Sequence, residues 1–349
     1  MSKFKSQPNG LLEGSRPEDY ILGANSPVVY EQRNLLGDWE QFLGKAERQS
    51  SKRLDRMACV TYSGLNSIEC QLNWMLANNL LPEETLNFLR ANGYIDERGQ
   101  INCSDRFNAK LSGTTRQGNY FYNVWDSFRK DGLVPEKLWP DNEDFDWDQY
   151  YSPIPDEVKA IGKQFLEHFA IQYEYALRLR ETIEVSLKHC PHQIAITTCP
   201  GWDTDHPQVC SAPFNHAVMM FKKQTGFYIY DHYEPFKKKL PHNYAMGTIL
   251  KGIISPIKEK VNTEKFNQDI VFGENSLEVT KLRRALNKLG WLDKKDTFSM
   301  KYDSNLADAV FRFQLANLSR TFKEMLFNLK GKRFGPKSRH VINNSSLWN

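Results

Sequence analysis

The 349-residue chain contains no run near the roughly 20 consecutive apolar residues that a membrane helix needs. Its opening, MSKFKSQPNGLLEGS, carries no apolar stretch of signal-peptide length, so neither membrane insertion nor export through a leader is expected. Cysteine is scarce. The six residues, at 59, 70, 103, 190, 199 and 210, are too few and too scattered for a disulfide scaffold. Charge of one sign is also missing: a formal net charge of +4 gives no electrostatic case for a nucleic-acid partner, although it suits a polyanionic surface.

Aromatic residues are plentiful at 13%, and segments such as FYNVW and FYIYDHY concentrate them before residue 235. Such residues line grooves for extended polymers, but they also build cores. Residues 1 to about 54 are polar and turn-rich and read as an irregular arm. From Cys59 to about Asn78 the apolar positions Val60, Leu65, Ile68, Leu72 and Met75 recur at helical steps, which predicts an amphipathic helix. Further helices are expected over PEETLNFLRANG, YNVWDSFRKDG, Asp156 to His168, and Ala176 to Lys188. The texture then changes: QIAITT, NHAVMMFKK, GFYIYDHYEP and GTILKGII read as short strands, with KQTG as a turn. Helices first and strands second predict an α+β domain and not a doubly wound sheet. Lys237-Lys238-Lys239 reads as solvated surface charge.

Beyond these strands, SPIKEKVNTEKFNQD is polar and without apolar periodicity. It predicts a linker, placed at 259–270, between a domain at 1–258 and a small three-helix unit at 271–349. The unit's helices fall at 275–292, 303–318 and 334–344, with Val279, Leu282 and Leu286 on one face of the first.

Cys59 is the residue on which the chemistry turns. A thiol at a helix N-terminus is favoured as thiolate, and an adjacent imidazole favours it further. Of eight histidines, His216 opens a predicted strand after a long loop, where a sheet can hold an imidazole at the lip of a cleft. Asp231 ends the next strand. Two antiparallel strands joined by a tight turn can bring His216 and Asp231 together, so that the carboxylate fixes the imidazole tautomer. Cys190, His192, Cys199, His206 and Cys210 lack the paired Cys-x2-Cys spacing of a structural zinc site, so no metal is expected there. Cys199 and Cys210 either close their loop as a disulfide or stay free thiols.

The order Cys59, then Asn215-His216-Ala217-Val218, then Asp231 after an aromatic-rich strand resembles the papain-like cysteine peptidases. The histidine follows the cysteine by 157 residues (59 to 216), slightly more than the 130 to 150 of the family. The resemblance spans about residues 30 to 258. It implies a two-lobed α+β fold, helical lobe beside sheet lobe, and peptide-bond cleavage with Cys59 as nucleophile, His216 as base and Asp231 as orienting group. Peptide or protein is then the substrate, and no metal or organic cofactor is needed. Gly118-Asn119 resembles the family's glycine turn, whose backbone binds extended substrate. The chain departs from the family at Met57-Ala58-Cys59-Val60, and Arg53 stands where a glutamine oxyanion donor is usual. Gln49 is the nearest glutamine and the candidate donor; the alternative is the Cys59 backbone N–H with another group.

The last unit resembles the peptidoglycan-binding domain of bacterial and phage wall hydrolases, through Val279-Leu282-Leu286-Gly290, Asp308-Ala309-Val310-Phe313-Gln314 and Gly335 to Ser338. Together the two resemblances imply a soluble wall-associated peptidase, made in the cytoplasm, that binds peptidoglycan through residues 271–349 and acts in a virion or at the cell wall. A virion-maturation peptidase and an inactive papain-like structural protein are the rival readings.

Overall fold

A computed structural model describes residues 10–12, 14, 16, 33–176, 180–199, 201–209, 213–257, 265–293, 296–297, 299–318 and 330–345. The expected α+β class is the observed one. The chain divides into two compact units, one gathering 1–19, 38–173 and 190–258, the other 20–37, 174–189 and 259–349.

In the first unit a short strand β1 (Leu11–Leu12) precedes the central helix α1 (Cys59–Ala77). Helices α2 (Glu83–Asn92) and α3 (Asp105–Leu111), strand β2 (Asn119–Tyr120) and helices α4 (Phe121–Asp131), α5 (Trp147–Tyr150) and α6 (Asp156–His168) follow. A six-stranded sheet then takes the order β3-β8-β4-β5-β6-β7. Its strands are β3 (Phe169–Ala176), β4 (His192–Ile196), β5 (His216–Lys223), β6 (Phe227–Tyr230), β7 (Lys237–Leu240) and β8 (Met246–Pro256). Antiparallel pairing joins β4 to both β5 and β8, and β5 to β6 to β7.

The expected amphipathic helix at Cys59 is instead buried on nearly every face, because it runs against β5 and β8 with other helices around it. Its polar residues are inside and bonded. Gln71 donates to the Gly252 carbonyl at 3.0 Å, Asn73 to that of Phe42 at 3.1 Å, and Glu69 accepts the Cys103 N–H at 2.6 Å. This is how buried polar groups avoid the cost of lost water. On β8, Gly252 lets the Trp125 ring of α4 approach so closely that a Cβ would lie 1.7 Å from it. Trp125 Nε1–H in turn donates to Gln193 Oε1 on β4 at 2.7 Å.

Some expectations change. The helix expected over Ala176 to Lys188 is shorter, α7 (Arg180–Ser186), and FAIQYEYA before it is a strand. GFYIYDHYEP is a strand only to Tyr230, and the lysine run behind it is a strand of its own. Lys238 is therefore not solvated: the two-residue period of β7 turns it inward, 2% exposed.

In the second unit, α7 accompanies a two-stranded ribbon of β9 (Ile270–Val271) and β10 (Arg333–Phe334) and three helices, α8 (Leu277–Lys288), α9 (Ser304–Asn317) and α10 (Pro336–Asn343). Ser276 and Asp303 cap α8 and α9 by accepting the N–H of Val279 and Leu306. Phe266 and Ile270, in the stretch expected to be linker, are buried in this unit's core with Leu282, Leu286 and Phe313.

Candidate active site

Cys59 is the first residue of α1. The turn before it is held by Asp55, whose Oδ1 accepts the Met57 N–H at 3.0 Å, with Met57 in the left-handed region at φ 52°. A non-glycine residue there is strained, and such turns persist only where surrounding contacts impose them. The backbone N–H groups of Ala217 and Val60 lie near enough to the Cys59 thiol to favour its thiolate. Ala217 is the residue after His216 on β5, so the thiol lies against the strand that carries the imidazole.

The hairpin of β5 and β6 brings His216 and Asp231 together: His216 Nε2 and Asp231 Oδ1 are 2.7 Å apart. Because a carboxylate accepts there, Nε2 carries the proton and Nδ1 presents its lone pair. Nδ1 is buried without a hydrogen-bond partner among the described residues. Four donors converge on the Asp231 carboxylate. Besides His216, the His232 N–H reaches Oδ1 at 2.7 Å, and Trp202 Nε1–H and Lys238 Nζ reach Oδ2 at 2.9 and 2.7 Å. Trp202 also stands edge-on to the His216 ring, centroids 5.8 Å apart.

Electrostatics follow from burial and these partners. Burial works to raise the Asp231 carboxyl, but His216 and Lys238 outweigh it and hold the group well below the ordinary carboxylate range. Burial drives His232 down to about 3, which keeps its ring neutral. Burial likewise pushes the Cys59 thiol far up, with Asp55 and Asp231 adding to the effect and the Ala217 and Val60 N–H groups opposing it.

Gln49 is buried, and its amide donates to Asp55 Oδ1 at 2.8 Å and to the Tyr233 hydroxyl at 2.9 Å. Tyr233 O–H closes the network on Asp55 Oδ2 at 2.5 Å. Gln49 thus belongs to the loop that leads into Cys59, with both amide protons engaged. The Asn119 side chain is a local brace, donating to Ser112 Oγ at 2.9 Å and accepting from the Tyr120 N–H at 2.8 Å. Its backbone N–H points elsewhere, to the Gly10 carbonyl at 2.8 Å.

That last bond belongs to a feature the sequence did not announce. Leu11–Leu12 pairs parallel to Asn119–Tyr120, and the Leu11 N–H reaches the Asn215 carbonyl at 3.3 Å. The segment thereby spans from the glycine turn to the residue before His216. A Cβ on Gly10 would meet the Met57 carbonyl oxygen at 2.4 Å, and one on Gly118 would meet Gly10's at 1.9 Å. With this segment in place Cys59 and His216 are both fully buried.

Elsewhere, Cys199 is disulfide-bonded, and Cys210 lies outside the described residues. Cys190 and His192 are buried while His206 is exposed beside Asp205. Among the described residues, three potential ligand atoms gather within 4.8 Å of one another at His216, Asp231 and His232. Asp231 is saturated by its four donors and His232 Nε2 is engaged by the Ala217 carbonyl at 3.1 Å, so this set fits hydrogen bonding better than metal ligation.

No family model and no curated protein sequence matches the chain. Among solved structures it is similar to xylellain, a cysteine protease from Xylella fastidiosa (11% identity, 70% of this chain and 96% of that one, TM-score 0.46). It is similar also to the cysteine protease and lectin-like domains of Cwp84, a surface layer associated protein of Clostridium difficile (12%, 76% and 58%, 0.47). A third is digestive procathepsin L2 proteinase from Tenebrio molitor larval midgut (12%, 70% and 76%, 0.42).

Proposed function

We propose that the chain is a papain-like cysteine peptidase in which Cys59, His216 and Asp231 form the catalytic set. The observation that carries this reading is the His216 ring: Nε2 is anchored on Asp231, and Nδ1 has no hydrogen-bond partner among the described residues, on the strand whose Ala217 N–H lies near the Cys59 thiol. His216 Nδ1 takes the thiol proton, and the thiolate adds to the scissile carbonyl carbon. The imidazolium returns the proton to the leaving amine, and water then hydrolyses the thioester with the same base. The oxyanion receives the Cys59 backbone N–H at the α1 N-terminus and, once an amide proton is released from its network, Gln49. The Gly118-Asn119 backbone takes an extended peptide by strand addition.

In this reading residues 1–258 are the peptidase, 259–270 the connection and 271–349 a peptidoglycan-binding module that raises local enzyme concentration on its polymer. The match of Val279, Leu282, Leu286 and Gly290 to that module supports it, and all but the glycine are core residues that argue fold before ligand. A virion or cell-wall location goes with the same proposal. The full burial of Cys59 favours the rival of an inert papain-like scaffold.

Wild type and Cys59→Ala, assayed on peptides and on purified sacculi, separate these readings. Turnover that disappears in Cys59→Ala is expected. Equal inertness of both proteins, with no labelling of Cys59 by a thiol reagent, leaves only the scaffold. Failure of the full chain to sediment with sacculi removes the wall assignment and leaves the peptidase.

A further inference from the structure

Lys238 is a buried cation in direct contact with the carboxylate that anchors His216. Its side chain is fully buried, with Nζ 2.7 Å from Asp231 Oδ2 and 2.6 Å from each of the Tyr233 and Pro235 carbonyl oxygens. Three acceptors need three N–H donors, and only the ammonium form supplies them. Its neighbours in the run do ordinary surface work, Lys237 pairing with Glu40 and Lys239 lying over the Tyr228 ring. Burying an ammonium is costly, and here the cost is offset by the carboxylate and the two carbonyls that it satisfies.

We propose that Lys238 is a positioning residue for the His216–Asp231 pair: it grips the carboxylate on the oxygen away from the imidazole and neutralises it, so that the imidazolium formed when Cys59 loses its proton faces an ion pair and not a bare carboxylate. This rests on the peptidase reading. The consequence is a balance between two demands on His216. Asp231 fixes the ring and its tautomer, while Lys238 keeps the carboxylate from holding the imidazolium so firmly that the proton is withheld from the leaving amine. The charged and titratable groups around this proton are few. Cys59 on α1 and Asp55 before it stand on one side, and His232 and Tyr233 follow Asp231 at the end of β6. Lys238 stands on β7, itself under the influence of Asp203. With His232 neutral, Lys238 is the cation that meets Asp231 directly.

The pH dependence of kcat/KM on a peptide decides the matter. In Lys238→Met the alkaline limb is expected to move up by about one pH unit, from the loss of a unit charge at this distance in a protein-like dielectric. kcat is expected to fall while KM changes little. Lys238→Arg, which keeps the charge, should restore the limb, and Lys238→Met combined with Asp231→Asn, which removes both charges, should bring it back toward wild type. If Lys238→Met lowers the melting temperature but leaves the limb in place, the lysine is only a structural brace and the proposal is overturned while the peptidase reading stands. If wild type shows no Cys59-dependent turnover, the peptidase reading fails and this proposal with it.

Discussion

Glu69 shows what a single buried acid does to this fold. It sits on α1, 3% exposed, where burial and then the nearby Glu47 raise its carboxyl well above the ordinary glutamate range. Between the unfolded value near 4.3 and that raised value, the folded chain holds a proton that the unfolded chain has released. Stability is therefore full below about pH 4 and declines as pH rises. Glu69→Gln keeps an oxygen for the Cys103 N–H and removes the titration. Its melting temperature is expected to exceed that of wild type at pH 8 and to match it at pH 4. An equal difference at both values would show that packing and not proton linkage sets the change. Asp231 is the opposite case: held low by His216 and Lys238, it contributes stability that is full above the unfolded value near 3.9 and is lost progressively as pH falls below it.

Among the elements, the contact of α4 with β8 is the most sharply defined. Gly252→Ala places a methyl group 1.7 Å from the Trp125 ring, which must move and lose its bond to Gln193. Overpacking of this kind costs about 1–3 kcal/mol, and the loss of the indole bond should take it to the upper end or beyond. Denaturant unfolding measures it, and a midpoint within error of wild type would mean that α4 shifts freely on the sheet. The long, strongly periodic pieces were legible in the sequence: α6 occupies the expected Asp156 to His168, and α1 begins at Cys59. The approach of His216 to Asp231 was legible too, because a hairpin fixes which residues meet across it. What escaped was short or disguised. KKKL reads as charge and not as a strand, so the inward turn of Lys238 was hidden by its own residue type. Trp202 lies in a polar loop that gave no sign of packing on His216. Gly10 to Leu12 has no periodicity at all, since two residues of parallel pairing leave no pattern.

On the scale of the whole molecule, the first unit keeps part of its own chain in the cleft that the peptidase reading assigns to substrate. A tethered strand of this kind is a competitor that never dilutes. On the same reading a free peptide must out-compete it for the Asn119 N–H and the Asn215 carbonyl, and until it does the thiol stays in a setting where burial keeps it protonated. Gly10→Val tests this without touching the catalytic set. At φ 87°, and with the Met57 carbonyl 2.4 Å from the new Cβ, residue 10 can no longer lie where it does. The variant is expected to show a several-fold lower apparent KM at unchanged kcat, and faster alkylation of Cys59; unchanged rates of both would mean that the strand imposes no barrier. On the peptidase reading, substrate selection is then set partly by residues 10 to 12: a peptide would be accepted only to the extent that it binds better than Gly-Leu-Leu.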